Sequence, residues 1–142
     1  MEQTAAYELV ELTEAEDAEI DGRLEDFDRD FVGYELGGKI ELGIRRSGKL
    51  VAGLLGYTTL FHILYVETVW VDADCRRRGL GAALLRELER RAAGMGVNLI
   101  RLDTFDWQGY EFYKACGYEE VGRYTEPRDG YSEYFFVKRL KG

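Results

Sequence analysis

Apolar and polar residues alternate at two different periods along the chain, and each change of period marks an element. Tyr7 to Leu12 sets Tyr7 and Leu9 against Glu8 and Glu11, with Val10 interrupting, which predicts a short first strand. Thr13 followed by Glu16 has the spacing of a capping box, in which each side chain satisfies a free backbone N–H at a helix start. The helix this predicts carries Ile20, Leu24, Phe27 and Phe31 on one face. Its other face is almost wholly acidic.

Lys39 to Arg45 and Leu50 to Thr58 flank Ser47-Gly48 and read as a hairpin, and Ile63 to Val71 (ILYVETVWV) is a strand of β-branched and aromatic residues. Three strands in succession predict an antiparallel meander. From Gly79 to Met95 the period lengthens to that of a helix, with Leu80, Leu84, Leu85 and Leu88 facing a core and Arg86, Glu87, Glu89, Arg90 and Arg91 outside. Asn98 to Thr104 (NLIRLDT) returns to a strand, Trp107 to Cys116 is a short helix ended by Gly117, and two late strands flank Pro127 to Gly130. Strand, long helix, strand is a crossover, so the 63–71 and 99–104 segments should be parallel neighbours with a right-handed connection. The expected fold is α/β with a mixed sheet, antiparallel early and parallel across the crossover.

Composition narrows the class. The 142 residues are 46% hydrophobic with a single proline, and such a length suits one domain, 1–142, of roughly 100 to 200 residues. No apolar stretch approaches the roughly 18 residues of a membrane span, and Met1 to Val10 lacks the basic start and apolar run of a secretory signal. A cytoplasmic location with no membrane partner is therefore expected. The net charge of −8 is concentrated at the N-terminus, where residues 1–30 hold twelve acids against Arg23 and Arg29. A generic nucleic-acid binder needs a positive excess, so nucleic acid is not an expected partner. Cys75 and Cys116 allow at most one disulfide and read as reduced thiols. His62 is the only histidine, so no metal site built on several histidines is available and no metal is expected. Neither Ser47 nor Ser132 stands in a GxSxG elbow, which sets a hydrolase triad aside.

The stretch Val69 to Ala83 (VWVDADCRRRGLGAA) carries the clearest chemistry. A strand ends, a polar loop presents three arginines, and glycines 79 and 81 open a helix. Glycine lets backbone approach oxygen closely, a first helical turn has N–H groups without partners, and the helix dipole favours an anion there. The arginines add fixed positive charge. It is neither a P-loop, since no Gly-Lys-Ser/Thr follows, nor GxGxxG, since residue 84 is Leu84.

Arg76-x-x-Gly79-x-Gly81 at this junction resembles the phosphate-binding signature Arg/Gln-x-x-Gly-x-Gly/Ala of the GNAT superfamily of acetyl-CoA-dependent N-acetyltransferases. FYKACGY, Phe112 to Tyr118, is similar to that family's FYxxxGF/Y motif, and LDTFDWQGYEFYKACGY to a bacterial subgroup pattern, LDTFxFQAxxFYxxxGY. The resemblance covers about residues 40 to 140. Two departures stand out: Asp106 replaces an Asn that in many members contacts the pantetheine arm, and Gly109 replaces a common Ala.

The resemblance implies a GNAT-like three-layer fold whose parallel central pair splays to bind acetyl-CoA, and transfer of acetyl to a primary amine by direct attack in a ternary complex. It places the backbone of Val69, Trp70 and Val71 along the pantetheine and the acetyl oxygen. Arg76 and the N–H groups of Arg77, Arg78, Gly79, Leu80, Gly81 and Ala82 fall to the pyrophosphate, with Asp106 and Tyr110 also on the cofactor. Tyr113 aligns with the motif tyrosine that protonates the departing thiolate; a core aromatic is the alternative. An alkyl amine with a pKa of about 10.4 is almost wholly protonated at neutral pH, so a proton acceptor is needed. Period two puts Tyr65, Glu67, Val69 and Val71 on one strand face. Glu67 is the candidate, acting through water, against the alternative of a solvated carboxylate at a sheet end. Trp70 faces the other way and is expected in the core, and Cys116, with no histidine partner, reads as a buried structural thiol.

The implied acceptor is a small-molecule amine or an amine-bearing peptide. The acidic first helix either steers a cationic amine toward the cleft or is a solvated face, and a homodimer stays open. The alternative function is an acetyl-CoA-binding sensor or interaction module without turnover.

Overall fold

The capping box forms as its spacing predicts. In the computed structural model, which describes residues 6–32 and 37–140, Glu16 N–H donates to Thr13 Oγ1 at 3.2 Å and Thr13 N–H to Glu16 Oε1 at 3.0 Å. These bonds open helix α1, Glu14–Arg29, which lies in the first of two units, Met1–Tyr34. Both ends of the expected 1–142 domain lie outside the described residues. The helix buries none of its residues, and Phe27 meets Phe31 at 5.2 Å between ring centroids. Tyr7 to Leu12 is not a strand but an irregular, exposed segment. Alternation alone cannot make a strand, because its backbone groups need a paired neighbour and this run has none.

The second unit, Glu35–Gly142, is built on six strands. β1 (Lys39–Arg46) and β2 (Lys49–Thr58) form the expected hairpin. Ser47 (φ 52°) and Gly48 (φ 80°) both take positive φ, as the two-residue turn compatible with strand twist requires. β3 (Ile63–Val71) continues the antiparallel meander, and a short turn at Ala73–Cys75 leads to helix α2, Leu80–Gly94. Then come β4 (Leu99–Phe105), helix α3 (Tyr110–Ala115), β5 (Glu119–Thr125) and β6 (Ser132–Arg139). The sheet order is β1-β2-β3-β4-β6-β5, with β3 and β4 parallel and every other pair antiparallel.

The core lies on one sheet face. Leu84, Leu85, Leu88 and Ala92 of α2 pack with Ile40, Leu54, Leu64 and Val66, and Ile100, Leu102, Phe136 and Tyr113 extend the same cluster to α3. Each fully buried leucine here contributes about 1.5 to 3 kcal/mol. The leucines of α2 fall on the expected face, but Glu89 does not lie outside. Its carboxylate accepts the Tyr118 hydroxyl and the Lys138 ammonium, each at 3.0 Å, and its side chain is only 17% exposed. The ion pair joins α2 to β6, and Lys138 also donates to the Cys116 carbonyl at the end of α3. Burial and the Glu89 charge push the Tyr118 hydroxyl well above the ordinary phenol range.

Helix α3 starts later than its apolar pattern predicts. Gln108 Oε1 accepts the Phe105 N–H at 2.8 Å and Thr104 Oγ1 accepts the Gly109 N–H at 3.0 Å. Trp107 to Gly109 are thereby held in a turn that joins the end of β4 to the helix. Such local side-chain bonds compete with helix formation.

Candidate active site

The two central strands part company. Parallel pairing of β3 with β4 covers only Ile63↔Leu99, Leu64↔Ile100 and Tyr65↔Arg101. Beyond Tyr65 β3 has no strand partner on its β4 side among the described residues, and apart from the Val71 carbonyl, which accepts from Arg76, strand groups there can hydrogen-bond an extended ligand. Val69, Trp70 and Val71 lie on this unpaired stretch.

A bulge shapes the same region. Val66 pairs with Gly56 and Thr68 with Leu55, leaving Glu67 as the extra residue. The bulge inverts the alternation beyond it. Val69 pairs with Leu54 and Val71 with Ala52, so both turn to the face of buried Leu64 and Val66 rather than away from it. The expected face of Tyr65, Glu67, Val69 and Val71 is therefore split, and Glu67 stands exposed at the break. Trp70 is not core. Its ring is 55% exposed, its indole N–H donates to Asp72 at 2.8 Å, and the Arg76 guanidinium lies 5.1 Å over it.

Between β3 and α2 the loop gathers backbone donors. Arg77 (φ 64°) and Gly79 (φ 78°) are left-handed, flanking Arg78, and Gly79 is the N-cap of α2. Backbone that changes hand in this way can turn successive N–H groups into an anion-binding concavity, and the positive φ of Arg77 costs energy that the surrounding structure must hold in place. The N–H groups of Leu80, Gly81 and Ala82 belong to the first helical turn. The glycines serve different ends: Gly79 supplies the left-handed turn, whereas a Cβ on Gly81 would come within 2.9 Å of Phe112 Cζ. The three arginines also divide. Arg76 is folded back, donating to the Val71 carbonyl at 2.9 Å, while Arg77 and Arg78 make no side-chain bond or ion pair among the described residues.

Tyr113 lies on the helix side of the opening, 8% exposed, packed on Phe112, Tyr118 and Phe136. Burial, followed by the charges of Cys116 and Asp103, pushes its hydroxyl up to about 12. The group is thus a phenol at neutral pH and available as a proton donor. Cys116 is a free, half-buried thiol, and burial raises its pKa as well, which disfavours the reactive thiolate.

Asp106 and Tyr110 face a shallow cleft of about 300 Å³ beside α3, shared with Gly109, Phe112 and Tyr134. Both are engaged in binding the fold together. Asp106 accepts the Ser132 N–H at 2.6 Å and the Tyr134 hydroxyl at 2.5 Å, bonds that lower its pKa. Tyr110 donates to Glu120 at 2.7 Å and accepts from Arg123.

On the sheet face opposite α2 and α3, at the vertex of the opening, lies a pair that periodicity did not single out. Tyr65 donates to Asp103 Oδ2 at 2.9 Å, and burial together with this bond pushes its hydroxyl up to about 12. The only sequence signal was the polar alternation of Arg101 and Asp103 along β4. Among the described residues no group of three His, Cys, Asp or Glu is placed to hold a metal ion, and no helix is long and apolar enough to cross a membrane.

Known proteins share this fold. The sequence profile described as the Acetyltransferase (GNAT) family matches residues 4–118. The blasticidin-S acetyltransferase of Streptomyces morookaense is 33% identical over 94 residues, 66% of this chain and 68% of that protein. The crystal structure of an acetyltransferase from Bacillus cereus superposes with a TM-score of 0.88 at 31% identity, covering 96% of this chain and 99% of that one. An aminoglycoside 6'-N-acetyltransferase complexed with coenzyme A shares the fold, with a TM-score of 0.66 at 17% identity over 81% of this chain and 79% of that one.

Proposed function

Because the chain belongs to the GNAT family of acetyltransferases, we propose that it transfers the acetyl group of acetyl-CoA to a primary amine by direct attack in a ternary complex. The observation that carries this reading is the loss of β3–β4 pairing beyond Tyr65, with a buried phenol, Tyr113, on one side of the opening. The pantetheine arm pairs with the open edge of β3 at Val69 to Val71 as a further strand would, sharing the Val71 carbonyl with Arg76. The pyrophosphate lies against the N–H groups of Arg77 to Ala82, and a backbone N–H of β3 polarises the thioester carbonyl.

The amine reaches the carbonyl from the sheet face opposite α2 and α3. Its lone pair forms the C–N bond, the tetrahedral intermediate collapses with cleavage of the C–S bond, and the departing thiolate takes its proton from Tyr113. Glu67 accepts the proton lost by the amine, through water, since the bulge leaves its carboxylate exposed at the rim. Asp106 and Tyr110 hold the β4–α3 connection that seats Tyr113, and so support the cofactor site through the fold.

The S. morookaense relative supports a small-molecule amine as acceptor, which makes blasticidin S a fitting first compound in an amine panel. Release of free thiol from acetyl-CoA on addition of an amine tests the proposal, with Tyr113→Phe as control. Tight binding of acetyl-CoA with no thiol release for any amine would favour the sensor reading instead.

A further inference from the structure

Asp103 has no place in the chemistry described so far. It lies on β4 across the opening from Glu67, half-buried on the acceptor side of the sheet. Oδ2 is fixed by the Tyr65 hydroxyl at 2.9 Å, while Oδ1 receives no hydrogen bond from the described residues. The adjacent cation does not neutralise it. Arg101 forms no ion pair among the described residues, its guanidinium lying 4.4 Å over the Tyr65 ring. Tyr57 meets that ring edge-on at 5.6 Å, so the Tyr65 ring is packed by both neighbours while its hydroxyl bonds Asp103. The result is an oriented carboxylate with one free oxygen beside the point where the acceptor must enter.

A fixed carboxylate would be a poor partner for the reacting nitrogen, which must be neutral when it attacks. It suits a positive charge elsewhere on the same molecule. We propose that Asp103, held by Tyr65, anchors a second cationic group of the acceptor, so that the preferred substrates are primary amines bearing another positive charge a few bonds away. The assignment rests on the acetyl-transfer reading, because that reading fixes the side from which the amine arrives. Glu67 and Asp103 then divide the work: one takes the proton at the reacting end, the other holds the distal charge.

Two conjugates test this without turnover. In each, the CoA sulfur carries a –CH2–C(=O)–NH– link, ending either in a butyl chain or in a 4-aminobutyl chain whose terminus is an ammonium. Affinities for both and for CoA alone are measured by calorimetry on the full chain. A charge-assisted bond of the expected kind corresponds to the aminobutyl conjugate binding about 10- to 100-fold tighter than the butyl one. Asp103→Asn should bring the ratio close to one while leaving CoA affinity unchanged, and Asp103→Glu should restore part of it. A wild-type ratio of one overturns the assignment, as does a ratio that survives in Asp103→Asn or one that collapses in Glu67→Gln instead. Loss of CoA affinity in Asp103→Asn would give the residue a purely structural role and overturn it too. Failure of wild-type protein to bind CoA at all would bring down the acetyl-CoA reading itself, an outcome distinct from each of these.

Discussion

A Cβ on Gly109 would lie 2.9 Å from Cε2 of Tyr113, so the Tyr113 ring occupies the space that a side chain at 109 would take. Gly109 is also the N-cap of α3, with its N–H on Thr104 Oγ1. Its φ of −136° is open to any residue, so the need for glycine is one of contact and not of backbone strain. Gly109→Ala should therefore act through the ring. Over-packing of this kind costs about 1 to 3 kcal/mol, and it would move the hydroxyl away from the sulfur it is proposed to protonate. The expected outcome is a lower midpoint in denaturant and a fall in kcat larger than any change in the KM for acetyl-CoA. Unchanged kcat would show that the ring tolerates displacement.

The raised pKa of Tyr113 has a consequence for stability at alkaline pH. In the unfolded chain the phenol ionises near its ordinary value of about 10, whereas in the folded protein it does so at about 12. Its contribution is thus fully present below the unfolded pKa and is lost as pH rises through the folded one. Between those values the unfolded state binds fewer protons, and stability falls by about 1.4 kcal/mol per pH unit for this group. Tyr65 and Tyr118 shift the same way and steepen the decline. Urea unfolding should show little loss from these groups until about pH 10 and a steep loss above it, and Tyr113→Phe should flatten the slope by about one proton.

Tyr113→Phe also separates donation from packing. Loss of the hydroxyl leaves the ring on Phe136 and Tyr118 in place. A general acid is worth roughly 100- to 10,000-fold in rate, so kcat should fall within that range while acetyl-CoA still binds. An equal loss in kcat and in cofactor affinity would assign the residue to packing alone.

What periodicity can and cannot reveal is clear from particular residues. Ile63 to Val71 was legible as a strand with its full bounds because seven of its nine residues are β-branched or aromatic. The Ser47-Gly48 turn was legible because its backbone demands are local. The bulge at Glu67 was not, since a bulge is a relation between two strands, and it overturned the face assigned to Val69 and Val71. Glu89 read as solvent-facing from the helical period of its neighbours. Its partners Tyr118 and Lys138 lie 29 and 49 residues further along the chain, beyond the reach of any local pattern. The loop of Arg76 to Gly81 was legible as a strand-to-helix turn rich in arginine and glycine, but the different contacts of its arginines and of its two glycines required the packing.

The Glu89–Lys138 pair is half-buried and should behave as a weaker version of a buried ion pair. Removing one partner leaves the other charge partly desolvated between α2 and β6, and Glu89→Leu or Lys138→Met alone should cost about 2 to 3 kcal/mol, below the range for a fully buried pair. Replacing both by apolar residues removes the desolvation cost together with the attraction, and the double variant should regain most of the loss. Tyr118→Phe should cost less, about 1 kcal/mol, because the carboxylate keeps its ammonium. Additive losses in the double variant would show that the two groups do not act on each other.

The three arginines of the loop should separate by experiment as they do in space. Arg76 bonds the Val71 carbonyl and covers the Trp70 ring, so Arg76→Ala should lower stability by about 1 to 2 kcal/mol, the sum of a hydrogen bond and a cation–π contact. Arg77 and Arg78 are exposed and carry no such bond. On the proposed reading their charges attract the phosphates through solvent, so the Arg77→Ala/Arg78→Ala double variant should leave the unfolding midpoint nearly unchanged while weakening CoA binding by about tenfold at low salt. That difference from wild type should shrink toward zero near 1 M salt, where the screening length falls to about 3 Å. Gly79→Ala provides the complementary case. At φ 78° a Cβ is strained whatever the surrounding space, and the N–H groups that the turn aims at the anion would swing away. Its loss of CoA affinity should persist at high salt, because backbone geometry is not screened. Titration of CoA at two ionic strengths against these variants distinguishes charge from geometry, and a Gly79→Ala effect that vanished with salt would refute the concavity as the phosphate-binding element.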